Sequence, residues 1–293
     1  MTNTTKWDSE HSKFWSRFLF WLWIYTLLVI LWGAWVRISH SGDGCGDHWP
    51  LCGGEFIPDF TEKKTWVEYS HRMMSGLYGL IVIFVFFKLR GHFSTAVRRL
   101  NALLLIFMTS EALLGALLVK GQLVTVNDSI SRLFVMSLHQ INSFMLTGVT
   151  FLLYVVLKQK FEKIRLQQPI LLVLFIALPL TGAIASLSTT LFPSISLWQG
   201  ILQDFSSDTH LFVKLRVLHP LIASIISVTF IVWCFHKNLS RLALEFLFAF
   251  AIGVVTLLTL SPIPLKLAHL FIAHALWGRL LHTLVNLPDS SKR

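Results

Sequence analysis

Charge is scarce in this sequence: Asp, Glu, Lys and Arg together make up 14% of 293 residues, against 54% hydrophobic positions. That balance excludes a single water-soluble core of this length, which needs no such apolar excess. Short alternating strands bounded by turn residues are missing, which excludes a transmembrane β-barrel. Residues 1–16 hold Asp8 and Glu10 and lack an apolar core, so neither a signal nor a transit peptide is expected there. Flavin, nicotinamide and iron–sulfur motifs are absent too, and any electron traffic therefore needs a separate, unidentified electron partner.

What is present is a series of apolar runs of about 20 residues, each long enough to cross roughly 30 Å of hydrocarbon as a helix. Eight are expected, at 17–37, 68–89, 100–119, 134–157, 169–187, 214–236, 241–260 and 265–286. In lipid the backbone must satisfy its own hydrogen bonds, so the runs read as α-helices, with Pro179 a candidate kink in the fifth. The formal charge is +10, but its location argues against a nucleic-acid partner. Lys6, Lys13 and Arg17 lie at the start of the first run, Lys88, Arg90, Arg98 and Arg99 between the second and third, Lys158, Lys160, Lys163 and Arg165 between the fourth and fifth, and Lys237 and Arg241 between the sixth and seventh. By the positive-inside bias these segments and both termini are cytoplasmic, and the loops 38–67, 120–133 and 188–213 face outward. Lys63 and Lys64 run against that bias in the first outer loop. A bacterial inner membrane is the simplest home.

The chain also repeats. Gly33-Ala34 at the end of run one matches Gly182-Ala183 at the end of run five with an offset of 149, and His71 matches His219 with an offset of 148. Two pseudo-symmetric four-helix halves follow, 1–165 and 166–293, in an all-α integral membrane fold. His71, His139, His219 and His269 open runs two, four, six and eight, so all four lie at one depth near the outer surface. Ligand-capable side chains in a membrane helix are functional candidates. Facing histidines on two helices supply both axial ligands of a haem iron, and the natural pairs are His71 with His139 and His219 with His269. The bland reading of any single histidine is a hydrogen-bonded interfacial residue. His274 lies five residues deeper than His269 and about 140° around the helix, so both cannot face one iron. His40, His48 and His210 in outer segments, and His11, His92 and His236 in inner ones, read as solvated; His282 is unassigned.

Glu68 precedes His71 by three positions and shares its helical face. It is a candidate proton carrier, or an ordinary acidic residue in a first helical turn. Arg37, Arg72 and Arg216 are candidates for pairing with haem propionates, or snorkelling anchors. Glu111, in run three, has no evident partner. Cys45 and Cys52 share the first outer loop, where a disulfide, dithiol redox chemistry or a metal site completed by His40, His48 or acids are open; Cys234 at an inner helix end should stay a thiol.

Gly33-Ala34-Trp35-Val36-Arg37, Cys45-Gly46-Asp47-His48-Trp49-Pro50-Leu51-Cys52, Glu68-Tyr69-Ser70-His71-Arg72, Leu138-His139-Gln140, His219-Pro220-Leu221-Ile222-Ala223 and Ala268-His269 together resemble the haem A synthase family. The resemblance spans most of the chain. It implies eight helices in two four-helix bundles and oxidation of a methyl group of haem O to the formyl group of haem A for terminal oxidases. It implies that His71 and His139 flank the substrate haem O, that His219 and His269 bind a haem b cofactor, that Glu68 is catalytic, and that Cys45 and Cys52 assist haem transfer or redox input. A haem O synthase is the implied supplier, and a homo-oligomer is compatible with the pattern. Two departures stand out: the second half lacks a cysteine pair, and His48 splits the usual Asp-Trp-Pro of the first loop. A di-haem electron-transfer protein and a non-catalytic haem chaperone or oxidase assembly factor are the competing readings. Haems near one face and a carboxylate beside a ligand speak against the former, and product analysis separates the latter.

Overall fold

A computed structural model describes residues 9–91, 94–161, 164 and 168–287. Lys6, Asp8, His92, Lys163, Arg165 and the expected boundary between the halves lie outside the described residues. The described chain is helical, with ten helices: α1 (Ser9–Ile38), α2 (Lys63–Leu89), α3 (Thr95–Lys120), α4 (Ile130–Gln159), α5 (Pro169–Leu191), α6 (Leu197–Phe205), α7 (Leu211–Arg216), α8 (Leu218–His236), α9 (Ser240–Leu258) and α10 (Ile263–Asn286). Several outrun their apolar stretches because polar residues start them. Ser94 and Ser129 accept hydrogen bonds from the backbone N–H groups of Val97 and Arg132, capping α3 and α4.

Seven segments are long and apolar enough to cross a membrane, with α7 and α8 counting as one segment, Leu211–His236. The eighth expected span, α10, has 24 residues but carries Lys266, His269, His274, Arg279 and His282, which lower its mean hydropathy. The expected sixth run is divided at Val217, and Pro220 explains the division. Proline at 220 has no N–H for the carbonyl of Arg216, four residues back, and its ring crowds that carbonyl. Helix α5, by contrast, continues through Pro179. Helix α6, inside the connection 188–213, is an element the sequence does not announce.

Helices α1 to α4 form a closed ring, each packed on its chain neighbour and α1 on α4; α5, α8, α9 and α10 pack in succession, and α4 touches both α5 and α10. The central element is α4, 72% of whose most apolar stretch is buried, against 11–33% for the other spans. Its contact with α10 is close because each helix offers the other a glycine. Trp277 lies over Gly148 and donates its indole N–H to the Phe144 carbonyl at 2.8 Å, while Phe151 lies over Gly278. Phe175 of α5 joins this seam as a hub, touching Phe144, Phe230, Phe246 and Trp277. The opposite faces carry exposed Leu80, Phe84, Ile106, Ile225, Val228 and Leu244, the surface expected against lipid tails.

Filling the notch at Gly148 with a branched side chain should cost about 1–3 kcal/mol of stability by overpacking. Gly148→Val is expected to lower the thermal unfolding midpoint in detergent, whereas Gly76→Ala, which meets nothing within 4 Å, is expected to leave it unchanged or slightly raised. Equal midpoints for Gly148→Val and the parent would show that the seam is not tightly packed.

Candidate functional site

Each of the four histidines lies against a glycine of the preceding long helix. His71 of α2 faces Gly33 of α1, His139 of α4 faces Gly115 of α3, His219 of α8 faces Gly182 of α5, and His269 of α10 faces Gly253 of α9. A β-carbon added at Gly33, Gly253, Gly182 or Gly115 would stand 2.8, 2.9, 3.3 or 4.0 Å from the Cε1 of its histidine. At the first two positions any side chain would displace the ring. The rings thus sit on bare backbone, all four only half-buried. The structure brings His219 and His269 together, with ring centres 6.3 Å apart, and His71 and His139 within electrostatic reach of each other.

Several ring nitrogens lack partners: the buried Nδ1 atoms of His71, His139 and His269 make no hydrogen bond, while His219 Nδ1 lies 3.0 Å from the Thr181 hydroxyl. Unsatisfied imidazole nitrogens in an apolar setting are costly unless something binds the ring. The 6.3 Å spacing leaves room for one metal atom between the rings, with nitrogen–metal bonds of roughly 2.0–2.1 Å on each side. Among the described residues no three His, Cys, Asp or Glu side chains converge. The donor set is therefore two imidazoles per station, which suits a haem iron, whose remaining ligands come from the porphyrin.

Glu68 is buried, 3% exposed, and lies in the second turn of α2, so the first-turn capping reading does not apply. Its Oε2 accepts the Cys45 backbone N–H at 2.8 Å, and its Oε1 accepts from the Arg72 guanidinium. Arg72 also donates to the carbonyls of His48 and Leu51. Cys45 and Cys52 are joined in a disulfide, and Cys234 is a buried free thiol. The ion pair therefore ties the disulfide loop to the helix that carries His71. Gly44 permits this approach, since any side chain there would collide with the backbone of Lys64 and Thr65.

In the second half Arg216 occupies the place of Glu68, at the same 148-residue offset that relates His219 to His71. It pairs with Asp204 and donates to the Gly200 carbonyl and the Ser194 hydroxyl, tying α6 down. Arg72 and Arg216 are thus engaged internally; among the described residues Arg37, the third candidate propionate partner, pairs with no carboxylate. Glu111 does have partners: its carboxylate accepts from the Asn142 amide and lies 3.5 Å from His139 Nδ1. Counted from the facing glycines, its counterpart in the second half is Ala249. His274 points elsewhere than His269: it is 1% exposed, stacked on Phe144 at 3.8 Å with its Nδ1 3.0 Å from the Thr147 hydroxyl, part of the seam between α4 and α10. His210 caps the start of α7 through Phe212 and stacks on Phe192, and His282 lies 3.1 Å from Gln159.

Fold and site together define a multi-pass helical membrane protein with two paired-histidine stations near one end of its helices. The chain belongs to the cytochrome oxidase assembly protein family (COX15-CtaA), whose profile matches residues 16–281. Among curated relatives, a protein named protoheme IX farnesyltransferase from Thermus thermophilus is 33% identical over 286 residues, covering 90% of this chain and 47% of that protein. Proteins named heme A synthase match over shorter stretches. The one from Symbiobacterium thermophilum is 54% identical over 59 residues, 20% of this chain and 19% of its own. That from Bacillus cereus strain AH187 is 39% identical over 107 residues, 34% of each chain. This chain spans about half the length of the Thermus relative.

Removing Arg72 leaves the Glu68 carboxylate buried without its counter-charge, which should cost about 3–5 kcal/mol. Arg72→Ala is expected to destabilise the protein and expose the disulfide loop to protease more than the Glu68→Ala/Arg72→Ala double variant does. Strict additivity of the two single substitutions in that cycle would contradict the ion pair's anchoring role.

Proposed function

We propose that this chain is a haem A synthase, oxidising a methyl group of haem O to the formyl group of haem A. Carrying the reading is the chemical asymmetry of the two stations. The first carries two carboxylates, Glu68 three residues before His71 and Glu111 3.5 Å from His139 Nδ1; the second has Arg216 and Ala249 at the corresponding positions, and its His219 meets the Thr181 hydroxyl. A station that releases protons needs bases, and a station that only holds a cofactor does not. Family membership and the relatives named heme A synthase support the same activity. The relative named for farnesyl transfer to protohaem fits a substrate supplied by such a reaction.

In this reading eight helices cross a bacterial inner membrane as two four-helix bundles, 1–165 and 166–293, with both termini cytoplasmic and the disulfide loop outside. His71 and His139 clasp haem O, and His219 and His269 hold haem b. Bound haem would supply the redox-active iron that side chains lack. Two successive hydroxylations, each taking its oxygen from a water molecule and releasing two protons and two electrons, replace methyl C–H bonds by C–O bonds, and the geminal diol loses water to leave the formyl group. Glu68 takes up protons released at the substrate, and Arg72 holds its carboxylate in place. Glu111, itself held by Asn142, stands 3.5 Å from His139 Nδ1, placed to take up that nitrogen and orient the ring once an iron occupies the other, as carboxylates orient metal-bound histidines elsewhere. The loop pinned by Arg72 limits water at the outer mouth. Electrons leave to a separate partner.

Haem extracted from cells that make haem O tests this. With the parent chain haem A is expected; with Glu68→Gln it should fall by roughly two orders of magnitude or more, the usual scale of a lost acid–base group, with a hydroxylated intermediate accumulating. A folded, haem-loaded parent that leaves haem O unchanged would overturn the enzyme reading in favour of electron transfer or haem delivery. Glu111→Gln is expected to raise the reduction potential of the first-station haem and leave the second unmoved; an unmoved first haem would remove Glu111 from the site.

A further inference from the structure

Three polar side chains one helical turn outward from the histidine stations converge where the halves meet. Arg37 lies four residues beyond Gly33 on α1, Ser186 four beyond Gly182 on α5, and Lys266 three before His269 on α10. Arg37 Nη2 donates to Ser186 Oγ at 3.0 Å, and Lys266 Nζ lies 3.4 Å from the Thr190 hydroxyl. Thr190 in turn donates to the Ser186 carbonyl at 2.7 Å, so the two cations reach consecutive turns of one α5 face. Arg37 and Ser186 are separated by 149 residues, the offset of the internal repeat. Residues related by a pseudo-twofold axis touch each other only near that axis, so Arg37 stands between the two stations.

This cluster is incomplete. The Arg37 Nε is buried without a hydrogen-bond partner, and among the described residues neither Arg37 nor Lys266 pairs with a carboxylate. Arg132, itself near Asp128 and donating to the Thr125 and Asn127 carbonyls, lies within electrostatic reach of Arg37, so that carboxylate serves Arg132 and not Arg37 or Lys266. Positive charges withdrawn from water with only hydroxyl partners are costly unless an anion joins them. Arginine's planar fork matches a carboxylate.

We infer that the seam is a carboxylate site shared by both stations, in which Arg37 binds propionate groups of the haems held in either half and Lys266 binds that of the second. The inference rests on the haem reading of the histidines. It assigns the outer edge of both haems to one cationic point, and so a means by which occupancy of one station is felt at the other.

Haem b and its dimethyl ester, which keeps ring and iron but loses both negative charges, are titrated into the stripped, detergent-purified chain by Soret absorbance. The second station is isolated with His71→Ala. Free acid is expected to bind roughly tenfold or more tightly than ester, the value of a charge-assisted hydrogen bond. Arg37→Gln and Lys266→Gln should each shrink that ratio by weakening only the acid, while Arg37→Lys retains most of it. Equal binding of acid and ester, or an unchanged ratio in Arg37→Gln, would overturn the shared site. So would a ratio that persists while Arg37→Gln loses co-purifying phosphatidylglycerol, which would assign the cations to a lipid phosphate. Failure of the unmutated chain to take up haem with a bis-imidazole spectrum would instead sink the reading of the histidines themselves.

Discussion

The imidazole laid against a bare helix backbone is the contact on which the rest of the architecture depends. Small residues let membrane helices approach closely, but here the space left by each glycine is filled by the ring of a histidine from the next helix rather than by backbone. The contact sets three things at once: the distance between the two helices of each pair, the depth of the ring, and the direction in which its free nitrogen points. In hydrocarbon a polar ring cannot be left to find its own partner, so its placement has to be built into the packing. Four repetitions bring the rings into two pairs.

On this repeated scaffold the two halves diverge chemically while using one mechanical device twice. In each, an arginine fastens a loop by donating to loop carbonyls and pairing with one carboxylate: Arg72 with Glu68 over the disulfide loop, Arg216 with Asp204 over α6. The disulfide in one half and a short capped helix in the other are alternative ways of giving the loop a fixed shape. What differs is the group left beside the histidine. The carboxylate of Glu68 falls where the second half has Arg216, and the Thr181 hydroxyl that meets His219 falls where the first half has Trp32, whose indole is spent on the Val67 carbonyl. Glu68 and Glu111, the carboxylates nearest the histidines in sequence or space, thus both belong to one half.

Much of this was legible in the amino-acid sequence, because lipid imposes a simple code. Apolar runs located the long helices to within a few residues, except that Pro220 divides the sixth and the polar load of α10 sets it apart from the seven strongly apolar segments. The pairing of His219 with His269, and the nearness of His71 to His139, could be read from their positions at the starts of alternate runs. The facing glycines could not, since they precede their histidines by 38, 24, 37 and 16 residues and share no spacing. Glu111 and Lys266 escaped for a related reason: each acts through a partner on another helix, and sequence distance carries no trace of that. The separation of His274 from His269 was foreseeable from helix geometry, whereas its burial against Phe144 depends on how α10 meets α4.

The central claim is that the four histidines form two stations, each clasping one haem iron between two imidazoles. Low-temperature electron paramagnetic resonance of the ferric, haem-loaded protein tests it most directly, taken on the parent and on the four single histidine-to-alanine variants. The account predicts two distinct low-spin signals in the parent, one altered only by His71→Ala and His139→Ala, the other only by His219→Ala and His269→Ala. A single signal that responds to all four substitutions, or a high-spin parent, would contradict it.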